Sequence, residues 1–322
     1  MSDPSVTVAP RDHGGGIDAA RTRFGGDRAD WIDLSTGINP VPYQPGPLPA
    51  DAWTALPDRA AADALTMAAR RFWSVPDGAA LLAIPGASSA IAMIPTLHPA
   101  GQVHIPGPTY NEHAAAFRLA GWQVQDTPCD APAARVVVHP NNPDGRWHDP
   151  DAAPLTVIDE SFCDIAPERS LIARATDPGT LVLKSFGKFW GLAGLRLGFA
   201  IGDPALIATL ADRLGPWPVS GPALSIGCQA LSDPAWAEAT RSRLRDDADR
   251  LDQLILPRGA TLTGGTPLFR LYDHPRADAL QDHLARHHIW TRRFPWSATA
   301  LRLGLPGPEG WARLENALER FE

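Results

Sequence analysis

The sequence predicts an α/β protein with a mostly parallel central sheet, followed by a smaller α+β unit. The chain has 322 residues, 44% of them hydrophobic, which is enough for a large domain with a smaller companion. Up to residue 214, short apolar runs alternate with amphipathic stretches, and this alternation favours a parallel sheet covered by helices. After residue 222 the pattern changes to one long helical run and then mixed strands and helices, which favours a second unit.

The elements of the first unit can be predicted in chain order. Each strand is a short apolar run bounded by turn residues, and each helix is a longer stretch with one apolar face. Strands are expected at 80–84, 102–105, 135–139, 155–158, 180–183 and 195–201, and helices at 60–73, 88–97, 111–120 and 204–214.

A Pro/Gly-rich stretch at 215–222 predicts a domain boundary. Beyond it we expect helices at 236–256, 277–287 and 309–321, and strands near 268–272, 289–292 and 300–303. The proline-rich stretch 40–57 is predicted to be an irregular linker. The domain prediction is an N-terminal segment (1–40) that packs with the small domain, a large ligand-binding domain (41–220) and a small C-terminal domain (221–322).

Composition excludes several classes of protein. The net charge is 29 − 36 = −7 without basic runs, which does not suggest nucleic-acid binding. The first ten residues lack the pattern of a secretory signal, and no apolar stretch reaches membrane-spanning length. Three cysteines without pairing or metal-ligand spacing predict a reducing cytoplasm and no metal site.

Lysine occurs only twice, at Lys184 and Lys188, so arginine supplies 27 of the 29 basic residues. Arginine cannot replace a lysine whose amine must become a neutral nucleophile. Lys188 lies in the string S-x-x-K-x-x-G-L-A-G-x-R-x-G, in which Ser185 and Arg196 are close enough to bind a phosphate. This string predicts a pyridoxal-phosphate (PLP) site in which Lys188 forms the imine with the cofactor and Lys184 is structural.

The string resembles the lysine motif of the class I/II aminotransferases, in particular the histidinol-phosphate branch. The resemblance implies the aspartate-aminotransferase fold (fold type I), with residues 41–220 as the PLP-binding domain, and a homodimer. The loop 140–145 is similar to the family's N-N-P-T-G loop, so Asn142 would donate to the phenolic oxygen of PLP. Asp144 stands where threonine is usual.

Two further motifs agree with this family. Residues 157–162 resemble its D-E-A-[YF] motif, so Asp159 would pair with the pyridine nitrogen, and Phe162 replaces a tyrosine that binds the phenolic oxygen. Residues 85–89 lie between a predicted strand and helix, where Ala87 and Ser88 would bind the phosphate. By the same resemblance, Tyr110 would stack on the ring.

The ends of the chain resemble threonine-phosphate decarboxylases of cobalamin biosynthesis. The matching segments are His13-Gly14-Gly15, residues 33–40, 216–220 and 233–240, and two C-terminal arginines. The resemblance implies that His13, Gly14, Gly37, Asn142, Arg292 and Arg302 contact the substrate. Arg302 would bind a carboxylate, and His13 and Arg292 a phosphate.

Three departures from the decarboxylases leave the substrate open. Gly37 replaces an asparagine that contacts the substrate. Leu56 replaces a tyrosine that reaches the cofactor phosphate of the partner subunit, and Gly187 replaces a Thr or Ser next to the lysine. Decarboxylation of L-threonine O-3-phosphate is therefore weighed against transamination of histidinol phosphate or a related amino acid, and against a non-catalytic protein that keeps the fold.

Overall fold

A computed structural model describes residues 11–321. The first elements are α1 (Ile17–Phe24), the short strand β1 (Ile32–Asp33) and α2 (Arg59–Phe72). Residues 1–10, part of the predicted N-terminal segment and the stretch examined for a secretory signal, lie outside the described residues.

The central sheet has seven strands. They are β2 (Ala80–Ile84), β3 (Gln102–His104), β4 (Gln123–Gln125), β5 (Ala134–Val138), β6 (Leu155–Asp159), β7 (Thr180–Ser185) and β8 (Gly198–Gly202). Their order is β2-β8-β7-β6-β5-β3-β4, and β8 alone runs antiparallel to its neighbours. The mostly parallel sheet predicted from the sequence is confirmed, together with the fold class.

The helices that follow these strands are α3 (Ala87–Met93), α4 (Asn111–Leu119) and α5 (Pro204–Leu214). Apolar side chains on the two faces of the sheet belong to two separate core clusters, as expected for a sheet covered on both sides. Because both faces are covered by apolar side chains, a polar ligand site is expected at the carboxyl edge of the parallel strands, where open α/β sheets bind ligands.

The C-terminal part begins with α6 (Gly221–Leu231) and α7 (Pro234–Ile255). A four-stranded antiparallel sheet follows, and the short strand Ile289–Trp290 pairs in parallel with β1 instead of joining that sheet. Its remaining elements are β9 (Thr261–Thr266), β10 (Phe269–Asp273), α8 (Ala277–Arg286), β11 (Ile289–Trp290), β12 (Arg292–Phe294), β13 (Ser297–Gly304) and α9 (Trp311–Glu319).

Most predicted elements are found with end shifts of a few residues, but two differ more. Strand 195–201 begins at Gly198, because a 3-10 turn at 193–195 leads into Arg196, whose φ of 54° is left-handed. Helix 88–97 ends as an α-helix at Met93. The elements α1, β1, β4, α6 and β9 were not predicted. In α6 and β9, prolines and glycines read as loops, and β1 and β4 have only two and three residues.

Helix α6 begins inside the stretch that we interpreted as a boundary. Ser220 caps it by accepting from the Ala223 N–H, and Pro222 lies in the first turn, where its missing N–H is harmless. A Cβ added at Gly227 would come within 2.9 Å of Leu65 in α2, so α6 packs closely against the N-terminal half. The boundary at residue 220 stays a prediction.

Among residues 11–321, no helix combines the length and the apolar character needed to cross a membrane.

Candidate active site

Lys188 lies in the turn that follows β7, and its side chain lines a cavity of about 120 Å³. Its backbone carbonyl accepts from the Asn39 N–H at 3.0 Å, which anchors the turn to the N-terminal segment. The other seven residues that we predicted to bind the cofactor line the same cavity: Ala87, Ser88, Tyr110, Asn142, Asp159, Ser185 and Arg196. Residues far apart in sequence thus converge on one lysine amine.

Burial lowers the pKa of Lys188 to about 8, and the positive charge of Arg302 acts in the same direction. Among the described residues, the Lys188 ammonium has no carboxylate in ion-pair contact, and its Nζ lies 5.2 Å from the centre of the Phe162 ring. A desolvated lysine of this kind is neutral over part of the physiological pH range, as a nucleophile must be.

Asp159 ends β6 and is buried. One carboxylate oxygen lies 2.8 Å from His113 Nε2, and the other accepts from the Ser161 N–H at 2.9 Å and the Ser161 hydroxyl at 2.5 Å. Burial by itself would raise the pKa of Asp159, but these hydrogen bonds outweigh it and hold the pKa below its usual range. Asp159 is therefore ionised and can pair with a pyridinium nitrogen.

The sequence analysis missed His113. Its signal is the spacing Tyr110-x-x-His113 at the start of α4, because residues three apart share one face of a helix. The Tyr110 and His113 rings are 6.0 Å apart and nearly perpendicular. His113 thus contacts both Tyr110, the predicted stacking residue, and the Asp159 carboxylate.

Arg196, Ser88 and Ser185, which were predicted to bind the cofactor phosphate, line the same cavity. The Arg196 guanidinium donates to the Ala193 carbonyl at 2.9 Å and has no carboxylate partner among residues 11–321. A Cβ at Gly86 would lie 2.5 Å from Arg196 Nη2, so only glycine permits this approach. A cation without an anion, hydroxyls, a buried carboxylate and a neutralisable lysine together fit PLP.

Arg302 is fully buried on β13 and donates to the side-chain oxygen of Asn142 and, at 2.6 Å, to the Ser35 carbonyl. Burial lowers the pKa of Arg302 to about 9, with the charge of Arg292 contributing, and its Nε has no partner within the described chain. Because the Asn142 oxygen is used by Arg302, the Asn142 NH₂ group is left to donate into the cavity, as the resemblance implies.

Asp144, the departure from the family's threonine, closes the loop that presents Asn142. Its carboxylate accepts from the Asn141 side chain at 2.8 Å and pairs with Arg146 at 2.6 Å. The Asp144 carbonyl accepts from the Gly265 N–H at 2.8 Å, so the loop contacts β9. The aspartate therefore stabilises the turn and connects the two sheets.

The predicted phosphate ligands are paired with acidic residues. Arg292 donates to the Asp12 carboxylate at 2.9 Å, and His13 Nε2 lies 2.9 Å from Glu112. Arg292 lines a cavity of about 220 Å³ and His13 one of about 530 Å³, and Tyr110 lines both of these and the lysine cavity. The sequence did not indicate Asp12 or Glu112, because isolated acidic residues are common on surfaces.

Gly14 and Gly37 occupy positions where a side chain would clash. A Cβ at Gly14 would lie 2.5 Å from the Ser35 carbonyl oxygen. A Cβ at Gly37 would lie 2.8 Å from the Phe269 ring and 2.9 Å from the Phe162 ring, and Gly37 does not line the lysine cavity. The two phenyl rings fill the space that an asparagine at residue 37 would need, so Gly37 and Phe162 are linked departures.

Comparisons with known proteins agree with this geometry. Residues 136–321 match the family model for aminotransferase class I and II. The chain is 42% identical to the threonine-phosphate decarboxylase of a Sinorhizobium species, over 98% of this chain and 99% of the relative. It is 40% identical to the threonine-phosphate decarboxylase of Pseudomonas aeruginosa, over 97% and 98% of the two chains.

Among solved structures, the fold resembles histidinol-phosphate aminotransferase from Sinorhizobium meliloti in complex with pyridoxal-5'-phosphate. The TM-score is 0.79 at 18% identity, with 95% of each chain covered. At this identity the likeness shows the fold.

The lowered pKa of Lys188 predicts the pH dependence of cofactor capture. The neutral amine reacts, so the rate at which the cofactor-free protein binds PLP should rise with pH and level off above about 8. Stopped-flow absorbance measures this rate, and free N-α-acetyl-lysine, whose pKa is about 10.4, provides the comparison. A protein rate that keeps rising tenfold per pH unit beyond 9 would contradict the assignment.

Gly37→Asn tests the crowding at residue 37. Because the new side chain must displace Phe162 and Phe269, we expect overpacking to destabilise the fold by about 1–3 kcal/mol. Thermal melting measures the loss. Gly194→Asn is the control, since a Cβ at Gly194 meets nothing within 4 Å. Equal melting temperatures for the two variants would show that the rings yield freely.

Proposed function

The chain belongs to the class I and II aminotransferase family, and we propose that it is a PLP-dependent decarboxylase. The substrate we propose is L-threonine O-3-phosphate, and the product is (R)-1-amino-2-propanol O-2-phosphate, an intermediate of cobalamin biosynthesis. The central observation is geometric: donors for two further anions adjoin the cavity of Lys188, the Arg302 guanidinium for one and Arg292 with the His13 imidazole for the other. The two full-length relatives at 40–42% identity support the choice of reaction.

The cofactor is held, in this proposal, by the residues that line the lysine cavity. Lys188 binds it covalently, Arg196, Ser88 and Ser185 bind its phosphate, and Tyr110 stacks on the ring. When bound, PLP supplies a conjugated cationic ring that accepts the electron pair of the breaking bond. Asp159 keeps the ring nitrogen protonated, and His113 keeps Asp159 ionised and oriented.

The substrate is oriented by its two anionic groups. Arg302 is assigned to the carboxylate, because its buried Nε lacks a partner within the described chain and a charge-assisted hydrogen bond would satisfy it. Arg292 and His13 are assigned to the phosphate, which must displace Asp12 from Arg292. Binding at both ends fixes the bond between Cα and the carboxylate in space, and orientation of that bond selects the reaction.

Decarboxylation then requires few groups from the protein. The bond between Cα and the carboxylate breaks, CO₂ leaves, and the electron pair remains at Cα. One proton takes the place of the carboxylate, and we assign its delivery to Lys188, the only lysine that lines the cavity. If the Cα–H bond were aligned instead, the same residues would support transamination, which is the competing outcome.

A product assay tests the proposal. Holoenzyme incubated with L-threonine O-3-phosphate and no keto-acid acceptor should release CO₂ and aminopropanol phosphate in equal amounts, and Lys188→Ala should release neither. A requirement for a keto acid, with histidinol phosphate as a better substrate, would identify an aminotransferase. Wild-type protein that stays colourless with added PLP would reject both enzymes and favour the non-catalytic alternative.

Asp12 and Arg292 should have opposite effects on substrate affinity. Asp12→Asn removes the competitor on Arg292 and should lower KM about twofold to fivefold, as the strength of an exposed ion pair allows. Arg292→Met removes a charged donor and should raise KM about tenfold or more.

Steady-state kinetics with threonine phosphate measures both effects, and kcat should change little. Asp18→Asn is the control, because Asp18 is exposed near the same end of the chain but pairs with Arg21 and Arg28. A higher KM for Asp12→Asn would mean that the Asp12 pair supports the site.

We further propose a cytoplasmic homodimer. Leu56 and Trp217 are 64% and 56% exposed, and they line two adjoining cavities of about 330 and 320 Å³. An exposed apolar surface of this kind favours a protein partner. The three free cysteines agree with a reducing compartment.

The oligomeric state is testable by sedimentation velocity. Leu56→Asp should shift a dimer towards monomer, because the charge would be buried at the interface. Leu256→Asp serves as the control, since this exposed leucine follows α7, away from both cavities. A monomeric wild type, or dissociation by the control alone, would contradict the proposal.

A further inference from the structure

Lys184, the lysine that the proposed reaction does not use, forms a buried ion cluster with Glu160 and Asp164. Lys184 Nζ lies 2.6 Å from a Glu160 carboxylate oxygen and 3.6 Å from an Asp164 oxygen. The three residues are 1%, 1% and 4% exposed, so water screens none of their charges. Two carboxylates and one ammonium are thus enclosed in the core.

This cluster lies behind the active site, on the opposite face of the sheet. Successive residues of a strand point to opposite faces. Ser185 lines the lysine cavity, so Lys184 points away from it, and Glu160 is related to Asp159 in the same way. The Glu160 N–H donates to the Leu183 carbonyl at 2.9 Å, so the ion pair joins the ends of β6 and β7 next to Asp159 and Ser185.

Asp164 extends the cluster to the far side of the reactive lysine. Its two carboxylate oxygens accept from the indole N–H groups of Trp73 at 2.8 Å and Trp190 at 3.0 Å. Trp190 follows Lys188 by two residues and stacks between Phe186 and Trp236 at 5.2 Å from each. The chain is therefore fastened to the same charge cluster four residues before Lys188 and two residues after it.

Glu160 has two further donors besides Lys184. It accepts from the Ser170 hydroxyl at 2.6 Å and from the Leu171 N–H at 2.5 Å. Burial by itself would lower the pKa of Lys184, but Glu160 and Asp164 outweigh it and raise the pKa above its usual value. Lys184 remains charged, which buried carboxylates require.

We propose that Lys184, through Glu160 and Asp164, is a positioning residue that fixes Lys188 and Asp159 relative to each other for cofactor binding and catalysis. The proposal deepens the proposed function and rests on it for the kinetic readout only. Small displacements of reacting groups have large effects on rate, so a shift of these strand ends should be measurable.

The test is the double variant Lys184→Met/Glu160→Gln. It removes one charge of each sign, and the glutamine can still bond to Ser170 and Leu171, whereas Lys184→Met alone would leave two uncompensated carboxylates. We expect a folded protein whose Kd for PLP rises about tenfold and whose kcat falls about tenfold, with KM for threonine phosphate within about twofold of wild type. Glu160→Gln alone keeps Lys184 paired with Asp164, and it should also raise Kd for PLP and lower kcat. If the double variant does not fold, this single variant tests the positioning role of Lys184.

The control is Arg270→Met/Asp252→Asn, which removes a partly buried ion pair between β10 and α7. It should lower the melting temperature without changing Kd for PLP. The proposal would be overturned if the folded Lys184 and Glu160 variants kept the PLP affinity and kcat of the wild type. It would also be overturned if the control lost as much PLP affinity as they do, and in either case the cluster would serve packing alone. If the protein does not decarboxylate threonine phosphate, the PLP titration by absorbance still decides the role of Lys184.

Discussion

The structure depends on the register of the neighbouring parallel strands β6 and β7. Asp159 is paired with Leu183 across these strands, so the carboxylate at the end of β6 lies beside the strand that leads to Lys188. A shift of β6 by one residue would turn Asp159 away from the cavity and bring Glu160 towards it, and the same shift of β7 would exchange Ser185 for Lys184. The buried Lys184–Glu160 ion pair on the reverse face opposes such a shift. The shift would separate the two charges and leave each of them unpaired in apolar surroundings. The pairing of β6 with β7 thus holds the sheet together and also places Asp159 beside the strand that leads to Lys188.

Electrostatics around Lys188 are arranged for anions. Arg302, Arg292 and Arg196 all lie close enough to lower the pKa of the lysine, and Asp159 is the acidic residue that opposes them. This excess of positive charge disfavours a protonated amine and favours anionic ligands, such as a phosphorylated cofactor and the proposed substrate with its two anionic groups. In the structure, Asp12 partly offsets it by pairing with Arg292. The positive field therefore serves both the reactivity of the lysine and the choice of ligand.

Gly37, a departure from the pattern of the decarboxylases, and Phe162, a departure from that of the aminotransferases, lie next to each other in the structure. Phe162 and Phe269 meet edge to face at 5.1 Å, and Gly37 lies against both rings. The Phe269 ring in turn lies 5.1 Å from the Arg302 guanidinium, and the Phe162 ring lies 5.2 Å from the Lys188 amine. Together with Gly37, the two rings form an apolar wall between the Lys188 amine and the Arg302 guanidinium.

The sequence was sufficient to predict the fold class and most elements, because strand and helix periodicities are local properties, and eight residues that line the lysine cavity were predicted from local motifs and their family resemblance. Among the elements that were not predicted, strand β9 and helix α6 contain glycines and prolines that read as loops, and these are accommodated by neighbouring strands and by a helix cap. Asp12 and Glu112 have no distinctive local pattern, and the spacing of His113 from Tyr110 does not reveal its partner. Only the folding of distant segments brings these three residues to Arg292, His13 and Asp159. The sequence determined which groups are present, and the tertiary structure decided their partners, because ion pairs and desolvation depend on distances that the order of residues does not specify.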